Sequence, residues 1–143
     1  MKIYYAAPLF NDMELERNIQ MKKWLENRGH EVYLPQDECG LAYDMINEDN
    51  KEQVNKQIFL GDVECIKKSD LLIFDLNGRV PDEGGCVELG MAYAWNIKSI
   101  GFKTDTRSLD YTGDVNLMIA GCMNFKIAKD LEELDKMLKD LEV

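Results

Sequence analysis

The sequence predicts an α/β domain in which a roughly five-stranded parallel sheet is flanked by helices, and three features predict it. Segments of strand length alternate with helix-patterned segments five times along 143 residues. The run Leu71-Leu72-Ile73-Phe74 is continuously apolar between Asp70 and Asp75, the mark of a central strand covered on both faces. No repeat, low-complexity tract or linker divides the chain, so residues 1–143 read as one domain.

The first strand is residues 3–7, a short apolar run closed by Pro8. Asn11 with Glu14 three residues later resembles a capping box, which opens a helix carrying Leu15, Ile19, Trp24 and Leu25 and ending at Gly29. Residues 31–34 form a second strand stopped by Pro35. Residues 36–50 are polar and too long for a simple connection, which makes them a candidate lid or binding loop.

A long helix over residues 51–68 follows, with Val54, Ile58, Cys65 and Ile66 on its apolar stripe. Asp62 falls inside that stripe between Ile58 and Ile66, so its carboxylate is aimed at the core or at a pocket in its wall. After the central strand, residues 77–85 form a loop with Gly78, Pro81 and Gly84-Gly85. Residues 85–95 are apolar nearly all round and read as a buried helix. A fourth strand over 98–102, a polar loop over 103–113, a short helix over 116–121 and a fifth strand over 123–127 come next. Leu131, Leu134, Leu138 and Leu141 mark a terminal amphipathic helix. The expected architecture is flavodoxin-like or Rossmann-like.

Composition excludes several classes. A net charge of −10 without a basic patch repels nucleic-acid phosphates and anionic membranes. No apolar run approaches the ~18 residues of a membrane span. The apolar start is broken by Pro8 and ended by Asn11-Asp12, too early for a signal peptide. Cys39, Cys65, Cys86 and Cys122 form no C-x-x-C pair, so their spacing marks neither a zinc site nor a redox dithiol. Reduced thiols in a cytoplasmic protein are expected.

Ligands of open parallel sheets bind beyond the carboxyl ends of the strands. There the sequence lacks both G-x-x-x-x-G-K-[ST] and G-x-G-x-x-G, the usual phosphate cradles. Paired acids after the first strand, which a receiver domain requires, are also missing, since that strand ends in Ala6-Ala7-Pro8. The one histidine, His30, is expected at the surface at the opposite end of the sheet. Proton transfer and nucleophilic attack therefore fall to carboxylates or tyrosine.

Glu88 is the only charged residue between Gly84 and Ile97, in the first turn of an otherwise apolar helix. Exposure beside the helix dipole would explain it, but Cys86, Val87, Leu89 and Met91 around it favour burial. A partly desolvated carboxylate kept ionised by a helix N-terminus and a hydrogen-bond donor is a plausible nucleophile. Asp75, at the end of the central strand, competes as a site acid without an evident partner.

The opening residues 3–10, then Asp62, then the stretch Asp82-Glu83-Gly84-Gly85-Cys86-Val87-Glu88-Leu89-Gly90, then Asn116-Leu117-Met118, resemble the nucleoside 2-deoxyribosyltransferases in order over nearly the whole chain. The resemblance implies that Glu88 attacks the anomeric carbon of a 2′-deoxynucleoside while Tyr4 orients it. It assigns base protonation and sugar hydroxyls to Asp62 and Asp82 together, without dividing the tasks. It places Phe10 and Gln36 among the substrate contacts, although the loop after Pro35 departs from the family pattern. Asn116 and Met118 match positions that reach into a neighbouring subunit's site, which implies a homo-oligomer, dimer-based and up to a hexamer. The implied partners are 2′-deoxynucleosides and free purine or pyrimidine bases, with no metal, organic cofactor, nucleic acid or membrane. The chemistry is coherent, because a carboxylate beside an oxocarbenium-like centre both stabilises and captures it, as in retaining glycosidases.

Two other readings use the same pocket. A 2′-deoxynucleoside 5′-monophosphate N-hydrolase would let water finish the reaction, but residues 6–12 carry no cation for its phosphate. A non-catalytic nucleoside-binding module would not need Glu88.

Overall fold

The computed structural model describes residues 1–37, 44–107 and 114–142. Its elements run β1 (Lys2–Ala6), α1 (Asp12–Glu26), β2 (Glu31–Tyr33), α2 (Lys51–Lys67), β3 (Leu71–Asp75), α3 (Glu83–Ala94), β4 (Lys98–Phe102), α4 (Leu117–Cys122), β5 (Ile127–Ala128) and α5 (Leu131–Glu142). The five strands form one sheet in the order β2-β1-β3-β4-β5, with every pairing parallel. This is the doubly wound order whose direction reverses between β1 and β3, where a ligand crevice opens.

Alternation along each strand divides the core in two. Ile3 and Tyr5 of β1 with Leu71 and Ile73 of β3 pack against Met21 and Leu25 of α1 and Leu134 and Leu138 of α5. Tyr4 and Ala6 with Leu72 and Phe74 face the other way, onto Ile66 of α2, Leu89 and Ala92 of α3, and Met123 after α4. Gly85 brings α3 onto the sheet, since a Cβ there would collide with the Phe74 ring. At the start of α1 the Asn11 side chain accepts from the Glu14 N–H at 3.0 Å, while Glu14 Oε2 accepts from the Phe10 N–H at 2.9 Å.

Several expectations are corrected. The fifth strand is Ile127–Ala128 rather than 123–127, because Asn124 and Phe125 both take positive φ (49° and 59°) and turn the chain. Met123 instead plugs the core. The third helix is not buried all round: Gly85, Leu89 and Ala92 pack inward, whereas Val87 and Tyr93 are exposed. The sheet covers its inward side and α2 and α4 lie against its flanks, while the positions of Val87 and Tyr93 stay open among the described residues. His30 is buried, not superficial, with Nδ1 3.5 Å from the Met1 amino group and 3.7 Å from Glu142 Oε1. On α2 only Ile66 of the predicted stripe is fully buried. Of the two candidate loops, residues 38–43 and 108–113 lie outside the described residues, as does Cys39. Cys65, Cys86 and Cys122 are in no disulfide, and no described helix is long and apolar enough to cross a membrane.

Candidate active site

Two tyrosine–carboxyl pairs lie side by side beneath α2 and α3. Tyr4, at the centre of β1, is fully buried, and its hydroxyl donates to Glu88 Oε1 at 2.7 Å. Tyr33, opposite Tyr4 in the parallel register of β1 and β2, donates to Asp62 Oδ1 at 3.0 Å. The two rings stack with centroids 5.3 Å apart and planes 19° from parallel. Tyr33 escapes sequence reasoning because no motif marks it. Its adjacency to Tyr4 is a product of strand pairing.

The electrostatics follow from burial. Desolvation raises the Glu88 carboxyl to about 7, the Tyr4 hydrogen bond opposes that rise, and the nearby Asp62 and Asp82 charges reinforce it. Asp62 is also raised by burial, against the Tyr33 hydrogen bond. Burial first, then the charges of Glu88 and Asp62, push the Tyr4 hydroxyl far above the usual tyrosine range, so it remains a donor. Asp82 is the N-cap of α3, its Oδ2 accepting from the Gly85 N–H at 2.7 Å. One helix start therefore supplies both Asp82 and Glu88. A half-buried carboxyl poised near neutrality, with a phenol on one oxygen and two further acids within electrostatic reach, is equipped for nucleophilic attack and proton transfer.

Other predicted residues sit elsewhere. Phe10 is exposed after β1. Gln36 is tied to α1, its Oε1 accepting from Asn18 Nδ2 at 2.9 Å and its Nε2 donating to the Leu15 carbonyl at 3.0 Å. Asn116 caps α4 by accepting from the Met118 N–H at 2.9 Å, and Leu117 and Met118 stand exposed beside it.

Asp75 belongs to the opposite face of the sheet. It accepts from the Tyr5 hydroxyl (3.1 Å) and from the backbone and side-chain N–H of Asn77 (2.9 and 2.8 Å), and it pairs with Arg17 Nε at 3.3 Å. It is buried, with both carboxylate oxygens engaged by these partners. Asn77 Oδ1 in turn accepts from the N–H groups of Thr104 and Asp105 at 2.7 and 3.0 Å, which clasps the loop before α3 to the loop after β4.

A cleft of about 750 Å³ opens between the end of β4, α4 and β5, lined by Lys103, Arg107, Leu117, Phe125 and Lys129 among others. Its described lining includes none of Tyr4, Asp62, Asp82 and Glu88. Among the described residues no group of three or more His, Cys, Asp or Glu is disposed to hold a metal ion.

The family model for nucleoside 2-deoxyribosyltransferase matches residues 3–130. No curated protein matches the sequence. Among solved structures, a conserved protein from Enterococcus faecalis superposes with a TM-score of 0.80 at 27% identity, covering 98% of each chain. The 2-deoxyribosyltransferase of Bacillus psychrosaccharolyticus gives a TM-score of 0.72 at 24% identity, covering 94% of this chain and 90% of that one. A CMP N-glycosidase from Clostridium botulinum gives 0.61 at 21% identity, covering 97% and 99%.

Proposed function

The chain belongs to the nucleoside 2-deoxyribosyltransferase family, and from that premise we propose that it exchanges the base of a 2′-deoxynucleoside by a ping-pong reaction through a deoxyribosyl ester on Glu88. The observation that carries this reading is the 2.7 Å hydrogen bond from Tyr4 to a Glu88 carboxyl raised to about 7. Glu88 ionises without extreme cost near neutrality, and Tyr4 leaves its second oxygen free to attack.

In the first half-reaction the C1′–N bond breaks with its electron pair going to the base. Glu88 supplies the pair that forms the new C1′–O bond, stabilising the oxocarbenium-like transition state as it does so. The departing base takes a proton from Asp62, whose raised carboxyl suits that role. Asp82, held as an acceptor at the start of α3, receives a hydrogen bond from a sugar hydroxyl. In the second half an incoming base attacks C1′, Glu88 departs, and Asp62 recovers the proton. Without an acceptor base, water takes its place slowly.

Phosphate-bearing substrates are disfavoured for a local reason. The N-terminus of α1, beyond the end of β1, is where a helix would receive an anion. Here the Asn11 side chain caps it and the Glu14 carboxylate occupies the Phe10 N–H. The alternative, release of base from a 5′-monophosphate by water, keeps support from the fold shared with the CMP N-glycosidase. Phe10 and Gln36 are proposed to contact substrate. Exposed Val87, Tyr93, Leu117 and Met118 support a homo-oligomer in which Asn116 and Met118 complete a neighbouring site.

The test compares thymidine plus adenine with thymidine monophosphate in water, with chromatography of the products. Deoxyadenosine should form from the first pair faster than thymine is released from the second. Faster release from the monophosphate, indifferent to adenine, would establish the hydrolase instead.

A further inference from the structure

We propose that Tyr33 is the positioning residue of Asp62: its hydroxyl orients the carboxyl that protonates the departing base, and its ring, stacked on Tyr4, locks that carboxyl in place relative to Glu88. The inference rests on the transfer reading and adds to it a residue that no motif marks.

Asp62 needs such a support. Its helix, α2, buries only Ile66 fully and exposes Phe59 and Leu60, so packing alone holds its middle turns loosely. The sheet beneath is tied by parallel pairing of β1 to both β2 and β3. Strand register sets Tyr33 opposite Tyr4, and stacking at 5.3 Å fixes the two phenols as one unit. Each phenol then donates to one acid, Tyr4 to Glu88 and Tyr33 to Asp62. The placement of nucleophile and proton donor thus traces to a pair of neighbouring strands rather than to the mutual packing of α2 and α3.

A phenol also suits the proton chemistry better than a cation. Lysine or arginine beside Asp62 would hold it ionised throughout, whereas a neutral donor lets it alternate. With Tyr33 on Oδ1, Oδ2 is the oxygen that carries the proton. That proton passes to the base nitrogen as the C1′–N bond breaks, and the carboxylate left behind keeps the Tyr33 hydrogen bond. The titratable groups that act on the Tyr33–Asp62 pair are Tyr4 on β1, Glu88 on α3 and Cys65 on α2 itself, which shares a hydrogen bond with Tyr33, while Lys2, Glu31 and Lys68 line the same pocket as Tyr33 and Cys65.

The test is Tyr33→Phe, which retains the stacked ring, assayed with two donors. Adenine must be protonated to leave deoxyadenosine, and 4-nitrophenolate leaves 4-nitrophenyl 2-deoxyriboside without a proton. The variant should lower adenine release about tenfold, the worth of one hydrogen bond to a charged group, and nitrophenolate release far less. Tyr33→Phe combined with Asp62→Asn should lose nothing beyond Asp62→Asn alone. Equal losses on both donors would overturn the proposal and leave Tyr33 a stacking residue.

A second readout is independent of turnover. The Asp62 carboxyl, followed by difference infrared titration and assigned with Asp62→Asn, should titrate at higher pH in Tyr33→Phe, because a donor to its ionised form is gone. An unmoved titration would overturn the coupling. A titration that moves in a protein whose wild type transfers deoxyribose from neither donor would keep the coupling and sink the transfer reading.

Discussion

The Tyr4 hydroxyl and Glu88 Oε1 are 2.7 Å apart although 84 residues separate them in the chain. The contact joins the middle of an interior strand to the second turn of α3, and it exists because Gly85 lets α3 settle on the Phe74 ring. Anchored at both ends, the carboxyl has one oxygen held and one left for chemistry.

Removal of that carboxyl should end catalysis. Glu88→Ala and Glu88→Gln are expected to lose transfer about a thousandfold or more while remaining folded. Mass spectrometry of wild type incubated with a deoxynucleoside alone should find a deoxyribosyl adduct on Glu88. An adduct on Asp82 or Asp75, or substantial activity in either variant, would refute the assignment.

The pH dependence has a definite sign. Reaction needs Glu88 ionised and Asp62 protonated, so kcat/KM should be bell-shaped, its limbs belonging to the pair. In Asp62→Asn the descending limb should vanish, leaving one ascending limb at or somewhat below pH 7, since the Asp62 charge is one of the groups that raise Glu88 to about 7. In that Asp62→Asn background Tyr4→Phe should shift the remaining limb upward, because its hydrogen bond favours the ionised carboxyl.

Stability should follow the same titration. The Glu88 carboxyl binds its proton more tightly folded than unfolded, so its contribution to stability is full below the ordinary value of 4.5 and is lost as pH rises through about 7. Glu88→Gln is therefore expected to exceed wild type in stability at pH 8 by up to about 3 kcal/mol, with the gap closing towards pH 4.5. Urea unfolding at the two pH values measures it, and a pH-independent gap would contradict the burial of the charge.

Gly85→Ala should be costly out of proportion to one methyl group. With Phe74 in the way, α3 must lift or the ring must turn, which costs about 1–3 kcal/mol and moves Glu88 off the Tyr4 hydroxyl. Thermal unfolding should register the first effect and a lowered kcat the second. Gly90→Ala, where an added Cβ meets nothing within 4 Å, serves as the control for the helix itself.

The shared site is testable by complementation. Glu88→Ala mixed with Asn116→Ala, each inactive alone, should recover part of the wild-type rate, since hybrid assemblies contain sites with both residues intact. A fully active monomer in sedimentation would rule this out.

The order of strands and helices, the parallel sheet and the Asn11 cap were all legible in the sequence, because each depends on periodicity or on residues a few positions apart, whereas α1 ends at Glu26, three residues before the positive-φ Gly29. The isolation of Glu88 and Asp62 on apolar surfaces was legible for the same reason. Where a local rule has a competitor, the structure departs from it. Positive φ at Asn124 and Phe125 overrode a strand pattern, and α3 looked buried all round because composition records hydrophobicity without saying which partner covers it.

By itself the sequence determined the α/β class, the single acids on apolar faces and a family pattern spread from Tyr4 to Met118. Tertiary structure alone decided which groups meet. It turned Asp75 to Arg17 and Tyr5 on one face of the sheet, and it set Tyr33 against Tyr4 and Asp62 on the other. Register between parallel strands far apart in the chain is fixed by the packing of the whole sheet, and no local period in either strand encodes it.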